Sequence, residues 1–344
     1  MHKTALHAFV LLACLLAGCS LPGSAPTIVP VPGEARYCGD GRCSGPENAA
    51  SCPQDCTAGP GPAAEASATP EMASGSGLLP AGAEDTYWVT NPASGARLFV
   101  QVFHPEDWNA SASLPALVLM PGGIAESDPQ RAARLAGQGF IVIIFDADGR
   151  GQSQGAEDYN GFITQDGLAE VIRAAASLPG LDADRYGLVS YSYGVTAATG
   201  ALARHPGLPV DFYIDWEGPV DRNYTTVGCP ADPHGDIPWQ PCSDDAWWAE
   251  REALGFIGDV QVPYQRIQSQ EDHVQPSNDH AIDIINAALA GGVPWVRLND
   301  YPPNQNYDAD NPPAMIPEAQ DRQLEQLVAL YARHLIEEVL PSLP

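Results

Sequence analysis

Beyond about residue 84, short unbroken apolar runs alternate with longer stretches of helical character. Residues 116–120 and 140–145 contain no polar side chain. A strand with one wet face alternates apolar and polar residues, so strands like these must be covered on both faces. The sequence supplies the cover. Strands are predicted at 97–104, 116–120, 140–145, 186–191, 210–215, 263–268 and 294–298, and helices at 128–138, 166–176, 193–204, 279–290 and 317–339. Regular alternation of this kind implies an α/β fold, a mainly parallel doubly wound sheet with helices on both sides. An irregular insertion at about 217–259 interrupts it, as a cap would.

Charge excludes several functions. The 344 residues hold 43 acidic and 16 basic side chains, a formal net charge of −27. Such a surface repels phosphate backbones, so no nucleic-acid partner is expected. Lys3 is the sole lysine. Once a leader containing it is removed, a Ser–Lys dyad, a Schiff-base lysine and a P-loop lysine are all excluded. No cofactor is expected.

The N-terminus has a short polar start and an apolar run at 8–16, too short to span a bilayer comfortably. Leu16-Ala17-Gly18-Cys19 resembles the lipobox of bacterial lipoproteins. The resemblance implies loss of residues 1–18, acylation of Cys19 and a lipid anchor in the cell envelope. Ser20 in place of Asp then favours the outer membrane if the host has one, and otherwise the anchor lies on the outer face of the plasma membrane. The remaining cysteines are Cys38, Cys43, Cys52, Cys56, Cys229 and Cys242, an even number that reads as disulfides in an oxidising compartment. Residues 19–37 read as a tether and 57–83 as a flexible linker. Between them, 38–56 resembles a short cysteine-rich module with the pattern CGDGxC…CPxDC, whose four cysteines allow three pairings. Asp40, Glu47 and Asp55 offer oxygen ligands suited to calcium, although solvated turn residues account for them without an ion.

Chemistry concentrates in residues 84–344. Ser190-Tyr191-Ser192-Tyr193-Gly194 follows an apolar strand and opens a helix, the setting of a sharp turn that exposes a serine hydroxyl. Leu181-Asp182-Ala183-Asp184-Arg185-Tyr186-Gly187-Leu188-Val189 leads into it. Met120-Pro121-Gly122-Gly123 ends an earlier strand, and Asp146-Ala147-Asp148-Gly149-Arg150-Gly151 follows the next. In this order the motifs resemble the α/β-hydrolase superfamily, in its dienelactone hydrolase and prolyl oligopeptidase branches, over about 84–340. The resemblance implies Ser192 as nucleophile and the amides of Gly123 and Tyr193 as oxyanion donors. It also implies Asp272, at the end of 262–272, as the acid that orients a histidine.

The histidine is missing from its usual loop. Residues 298–307 after the last strand contain Asn304 and Asn306 instead, and a neutral amide accepts no proton from serine. A base must come from elsewhere. His273, beside Asp272, is the first candidate, with Asp272, Glu217 or Asp215 as its partner; His280 and His234 follow. His104, His205 and His334 read as structural. The Asp232-Pro233-His234-Gly235-Asp236 stretch reads as a solvated loop rather than a metal site. A Cys229–Cys242 disulfide would stiffen the cap, where Trp239, Trp247 and Trp248 either line a pocket or pack the cap down. Two functions fit. One is an extracytoplasmic serine hydrolase acting on a small-molecule or acyl ester, in preference to a peptide. The other is a non-catalytic binding lipoprotein that kept the scaffold and lost the base. The sequence does not indicate an oligomeric state.

Overall fold

The computed structural model describes residues 84–225, 229, 236–237, 240–275, 277–319 and 322–343. The leader, Cys19, Cys38, Cys43, Cys52, Cys56, Asp40, Glu47, Asp55, His234 and Trp239 lie outside them. The main sheet contains β1 (Glu84–Thr90), β2 (Arg97–Phe103), β3 (Leu114–Met120), β4 (Ile141–Phe145), β5 (Leu181–Tyr191), β6 (Phe212–Trp216), β9 (Tyr264–Ile267) and β10 (Val296–Leu298). A two-residue hairpin, β7 (Asp236–Ile237) with β8 (Gln240–Pro241), lies in the insertion. The helices are α1 (Pro129–Ala136), α2 (Phe162–Ala175), α3 (Gly194–Arg204), α4 (Asp245–Ala249), α5 (Asp279–Gly291) and α6 (Arg322–His334). The strand order is β1-β2-β4-β3-β5-β6-β9-β10. Every neighbour from β4 onward is parallel, whereas β2 runs antiparallel to both β1 and β4.

The predicted α/β class, doubly wound with an insertion, is what the chain adopts. Alternate residues of the apolar runs sort onto opposite faces, as the two-residue period of a strand requires. Ile141, Ile143 and Phe145 of β4 join Ala116, Val118 and Met120 of β3 under α2, α3 and α5. Val142, Ile144, Leu117 and Leu119 face the other way, under α1 and α6. Each fully buried Val, Leu, Ile or Phe contributes about 1.5–3 kcal/mol. The two layers therefore fix the strand order and hold all the parallel strand ends on one side.

Two elements differ from expectation. β1 was not predicted: its Glu-Asp-Thr-Tyr-Trp-Val-Thr sequence is that of a half-covered edge strand. The last helix ends at His334 and continues as a π-helical turn over Leu335–Val339. In the insertion, a disulfide joins Cys229 and Cys242 at a Cα–Cα distance of 5.7 Å. Buried Trp248 packs on that bridge, and Trp247 lies against the Arg251 guanidinium, so both tryptophans pack within the insertion.

Candidate active site

The turn after β5 brings Ser192 into a left-handed backbone conformation, φ 49°. Few non-glycine residues adopt it, and its cost of about 1–3 kcal/mol is tolerated where the surroundings enforce it. Here they do. A Cβ on Gly122 would lie 2.9 Å from Ser192 Cβ and 2.9 Å from the Tyr191 carbonyl. A Cβ on Gly194 would lie 2.5 Å from the Pro121 carbonyl. The loop leaving β3 therefore presses directly on the elbow, with Gly123 next along it and Tyr193 just after the serine. Ser190 stands where a glycine is usual because its hydroxyl has partners: it lies 2.7 Å from the Tyr213 hydroxyl and donates to Asp215 at 3.1 Å.

His273 Nε2 lies 2.9 Å from Ser192 Oγ. His273 Nδ1 lies 2.8 Å from Glu217 Oε2. The tautomer that satisfies both contacts carries its proton on Nδ1, donates to the carboxylate and accepts from the serine hydroxyl. Trp216 stacks on the imidazole with ring centroids 4.4 Å apart and fixes its plane. Glu217 is itself left-handed, φ 48°, and that bend returns its carboxylate under the β9 turn. There Oε1 accepts the Ser269 amide at 2.9 Å and Oε2 the His273 amide at 3.1 Å.

Glu217, the alternative acid, lies nearer the ring than Asp272 does. Asp272 Oδ1 lies 3.4 Å from His273 Nδ1, against 2.8 Å for Glu217. The reason is local: adjacent side chains diverge, and Oδ1 is tied to the amides of Val274 (2.9 Å) and Gln275 (2.8 Å). Oδ2 accepts Gln268 Nε2 at 2.9 Å and lies 3.1 Å from His280 Nε2. His280 is buried beneath the site and does not approach Ser192; its Nδ1 lies 3.0 Å from the Gly218 carbonyl. Asp215 is likewise engaged elsewhere, in a buried ion pair with Arg266. Asp221 caps its own turn by accepting the Asn223 amide at 2.7 Å. His104, His205 and His334 pair with Asp85, Asp166 and Glu338 away from the site. In the loop after β10, Asn304 turns back to accept the Val296 amide at 2.9 Å.

Two carboxylates thus flank one imidazole. Burial opposes a charge on His273, but Asp272 and Glu217 outweigh it and raise its pKa to about 9. Burial also opposes a charge on Asp272, yet hydrogen bonds from His273, His280, the Gln275 amide and Gln268 prevail and hold its carboxyl far below the usual range. Glu217, Asp272 and His273 each offer a ligand atom within 4.8 Å of the others. Their carboxylate oxygens already accept N–H donors, which suits an imidazole held between acids better than a cation.

Sequence reasoning missed Asn160. It is fully buried, and it and Tyr159 are consecutive left-handed residues, φ 64° and 52°. Asn160 Nδ2 donates to the Tyr193 carbonyl at 2.9 Å and to the Gly123 carbonyl at 3.3 Å. The one available hint was the Tyr159-Asn160-Gly161 turn before a helix. Beside this loop opens a cleft of about 350 Å³ lined by Ile124, Glu126, Gly149, Arg150, Gly151, Glu157 and Tyr159.

Residues 94–221 match the family of X-Pro dipeptidyl-peptidases (S15 family). No curated protein matches the chain. Among solved structures it is similar to a dipeptidyl peptidase 4 from Porphyromonas gingivalis, with 18% identity and a TM-score of 0.55 over 74% of this chain and 35% of that one. It is similar to an acylaminoacyl peptidase from Pyrococcus horikoshii, with 14% identity and a TM-score of 0.53 over 76% and 42%. An esterase from Pyrococcus furiosus gives 13% identity and a TM-score of 0.52 over 76% of this chain and 95% of that one. The chain therefore spans less than half of either peptidase and nearly all of the esterase. The likeness is one of fold.

Proposed function

We propose that this chain, an α/β-hydrolase by fold, is a serine hydrolase that cleaves esters outside the cytoplasm. One observation carries the reading: Ser192 Oγ, His273 and Glu217 form a continuous hydrogen-bonded chain of 2.9 and 2.8 Å, although the usual loop has no histidine. His273 takes the serine proton as Oγ attacks the ester carbonyl, and Glu217 stabilises the imidazolium that forms. The Gly123 and Tyr193 amides receive the developing oxyanion, a contribution of roughly several kcal/mol. His273 then returns the proton to the departing alkoxide, and water repeats the sequence on the acyl-enzyme.

Two features favour an ester over a peptide. Ile124 and Val274 are each 48% exposed; one follows Gly123 and the other His273, so the site carries an apolar rim. The chain covers 95% of an esterase but only 35% of a dipeptidyl peptidase. An extracytoplasmic setting rests on the Cys229–Cys242 bridge and the lipobox-like leader.

A membrane-impermeant fluorophosphonate tests both parts. Purified protein should label at Ser192 and hydrolyse 4-nitrophenyl esters, and intact cells or spheroplasts should label without lysis. A purified wild type that neither labels nor turns over any ester would sink the catalytic reading in favour of a binding protein. Labelling only after lysis would sink the location.

The flanking carboxylates also set a pH dependence. Serine attack needs neutral His273, and its pKa is raised to about 9. The group is therefore mostly protonated at pH 7, with about one molecule in a hundred carrying the free base. We expect kcat/KM, which reports the free enzyme, to rise with pH and to level off above about 9. A profile already flat at pH 7 would contradict this account of the site.

A further inference from the structure

We infer that Asn160 is a positioning residue for the oxyanion-binding amides, holding the two loops that carry them at a fixed spacing. The inference rests on the serine hydrolase reading above and deepens it. The Gly123 and Tyr193 amides come from chain segments far apart in sequence, one leaving β3 and one opening α3. The pairing of β3 with β5 and the packing of Gly122 on the elbow bring the segments together, but neither contact holds the carbonyls of the two donor residues. Asn160 Nδ2 spends one hydrogen on each residue's carbonyl, 3.3 Å to Gly123 and 2.9 Å to Tyr193. A single amide group therefore cross-links the two residues and restrains the peptide plane that follows each donor. The opposite side of Gly123 is restrained too, because the Gly122 carbonyl accepts the Ala125 amide at 3.2 Å and Gly122 packs on the elbow.

Asn160 is itself fixed. Its Oδ1 accepts Arg150 Nη2 at 2.8 Å, which settles the amide orientation: reversed, the NH₂ would face a guanidinium and the oxygen two carbonyls. Arg150 is clamped by both Glu157 oxygens at 2.8 and 2.7 Å, and Glu157 also accepts the Tyr159 amide at 2.7 Å. The Asn160 carbonyl accepts Gln165 Nε2 at 3.3 Å. Two left-handed residues in succession, one a tyrosine, form a conformation the chain would not choose on local grounds. It is held in place by contacts aimed at the catalytic loops, and that combination of enforced strain, full burial and shared partners is the observation behind the inference.

Asn160→Asp is the discriminating variant. It preserves size and the Arg150 contact but removes both donors to the carbonyls. With 4-nitrophenyl acetate, kcat should fall about 10- to 100-fold, the scale of a small misplacement of catalytic groups. KM should stay within about twofold. The pH midpoint should not move, since the His273 contacts are untouched, and activities are compared below each variant's own thermal midpoint. Asn160→Ser, measured alongside, avoids a buried carboxylate and should lose less. An active wild type with either folded variant retaining wild-type kcat overturns the inference while leaving the hydrolase reading intact. Failure of both variants to fold, or a loss confined to KM, assigns Asn160 to the fold and overturns it equally. A wild type inactive on every ester removes the reading and the inference together.

Discussion

Ser192→Ala and His273→Ala should each lower kcat on short-chain aryl esters by about ten-thousand-fold or more, and the double variant should lose no more than either alone. Both effects follow from the contact of 2.9 Å between His273 Nε2 and Ser192 Oγ. Without the imidazole the hydroxyl keeps its proton, and without the hydroxyl the imidazole has nothing to activate, so the two act as one unit. Among the described residues no substitute base is at hand. His280 is buried and engaged with Asp272 and the Gly218 carbonyl, and the chain has no lysine beyond Lys3. The turnover left should reflect the oxyanion amides and substrate binding alone. Steady-state kinetics on purified variants of matched thermal midpoint decide the matter. A His273→Ala variant within tenfold of wild type would mean that the base has been misidentified. A Ser192→Ala variant that active would remove the covalent mechanism.

The two features read most easily from sequence were both set by local constraints. The sheet was legible because residues 140–145 have no polar position, which only a doubly covered strand accommodates. The elbow was legible because small residues around Ser192 answer to backbone contacts within one turn, as the 2.5 Å approach at Gly194 shows. His273 could be singled out by elimination and by its place at a strand end. What could not be read depends on neighbours distant in sequence. β1 is an edge strand with a polar start, and nothing in its own residues states that β2 will pair with it. Asn160 gains meaning only once β3 and α3 lie on either side of it. The acid was ambiguous for the same reason: Asp272 neighbours His273 in the chain, whereas Glu217 neighbours it in space because β6 and β9 are adjacent.

That ambiguity yields the second large effect. Glu217→Gln should lower kcat about a thousand- to ten-thousand-fold at every pH, whereas Asp272→Asn should lose about tenfold or less. Glu217 accepts N–H donors with both oxygens: the Ser269 amide on one, and the His273 amide and ring Nδ1 on the other. A glutamine has one acceptor oxygen, so its NH₂ must confront either the turn or the imidazole. In the second case the ring is driven to the tautomer with its proton on Nε2, which cannot accept from serine. Asp272→Asn leaves more intact. Its remaining oxygen can still accept the Val274 and Gln275 amides. What the Asp272→Asn variant would lack is charge. Asp272 is one of the groups that raise the His273 pKa to about 9, so its neutralisation should move the midpoint of the pH–rate profile downward. Asp272→Asn should then narrow its deficit, or overtake wild type, as the assay pH falls from about 9 toward 7. Glu217→Gln removes a charge too and should also lower the midpoint, but its far larger loss from the misplaced ring leaves no crossover. The larger loss falling on Asp272→Asn would restore the acid that the superfamily resemblance suggests and leave Glu217 as a support for the turn.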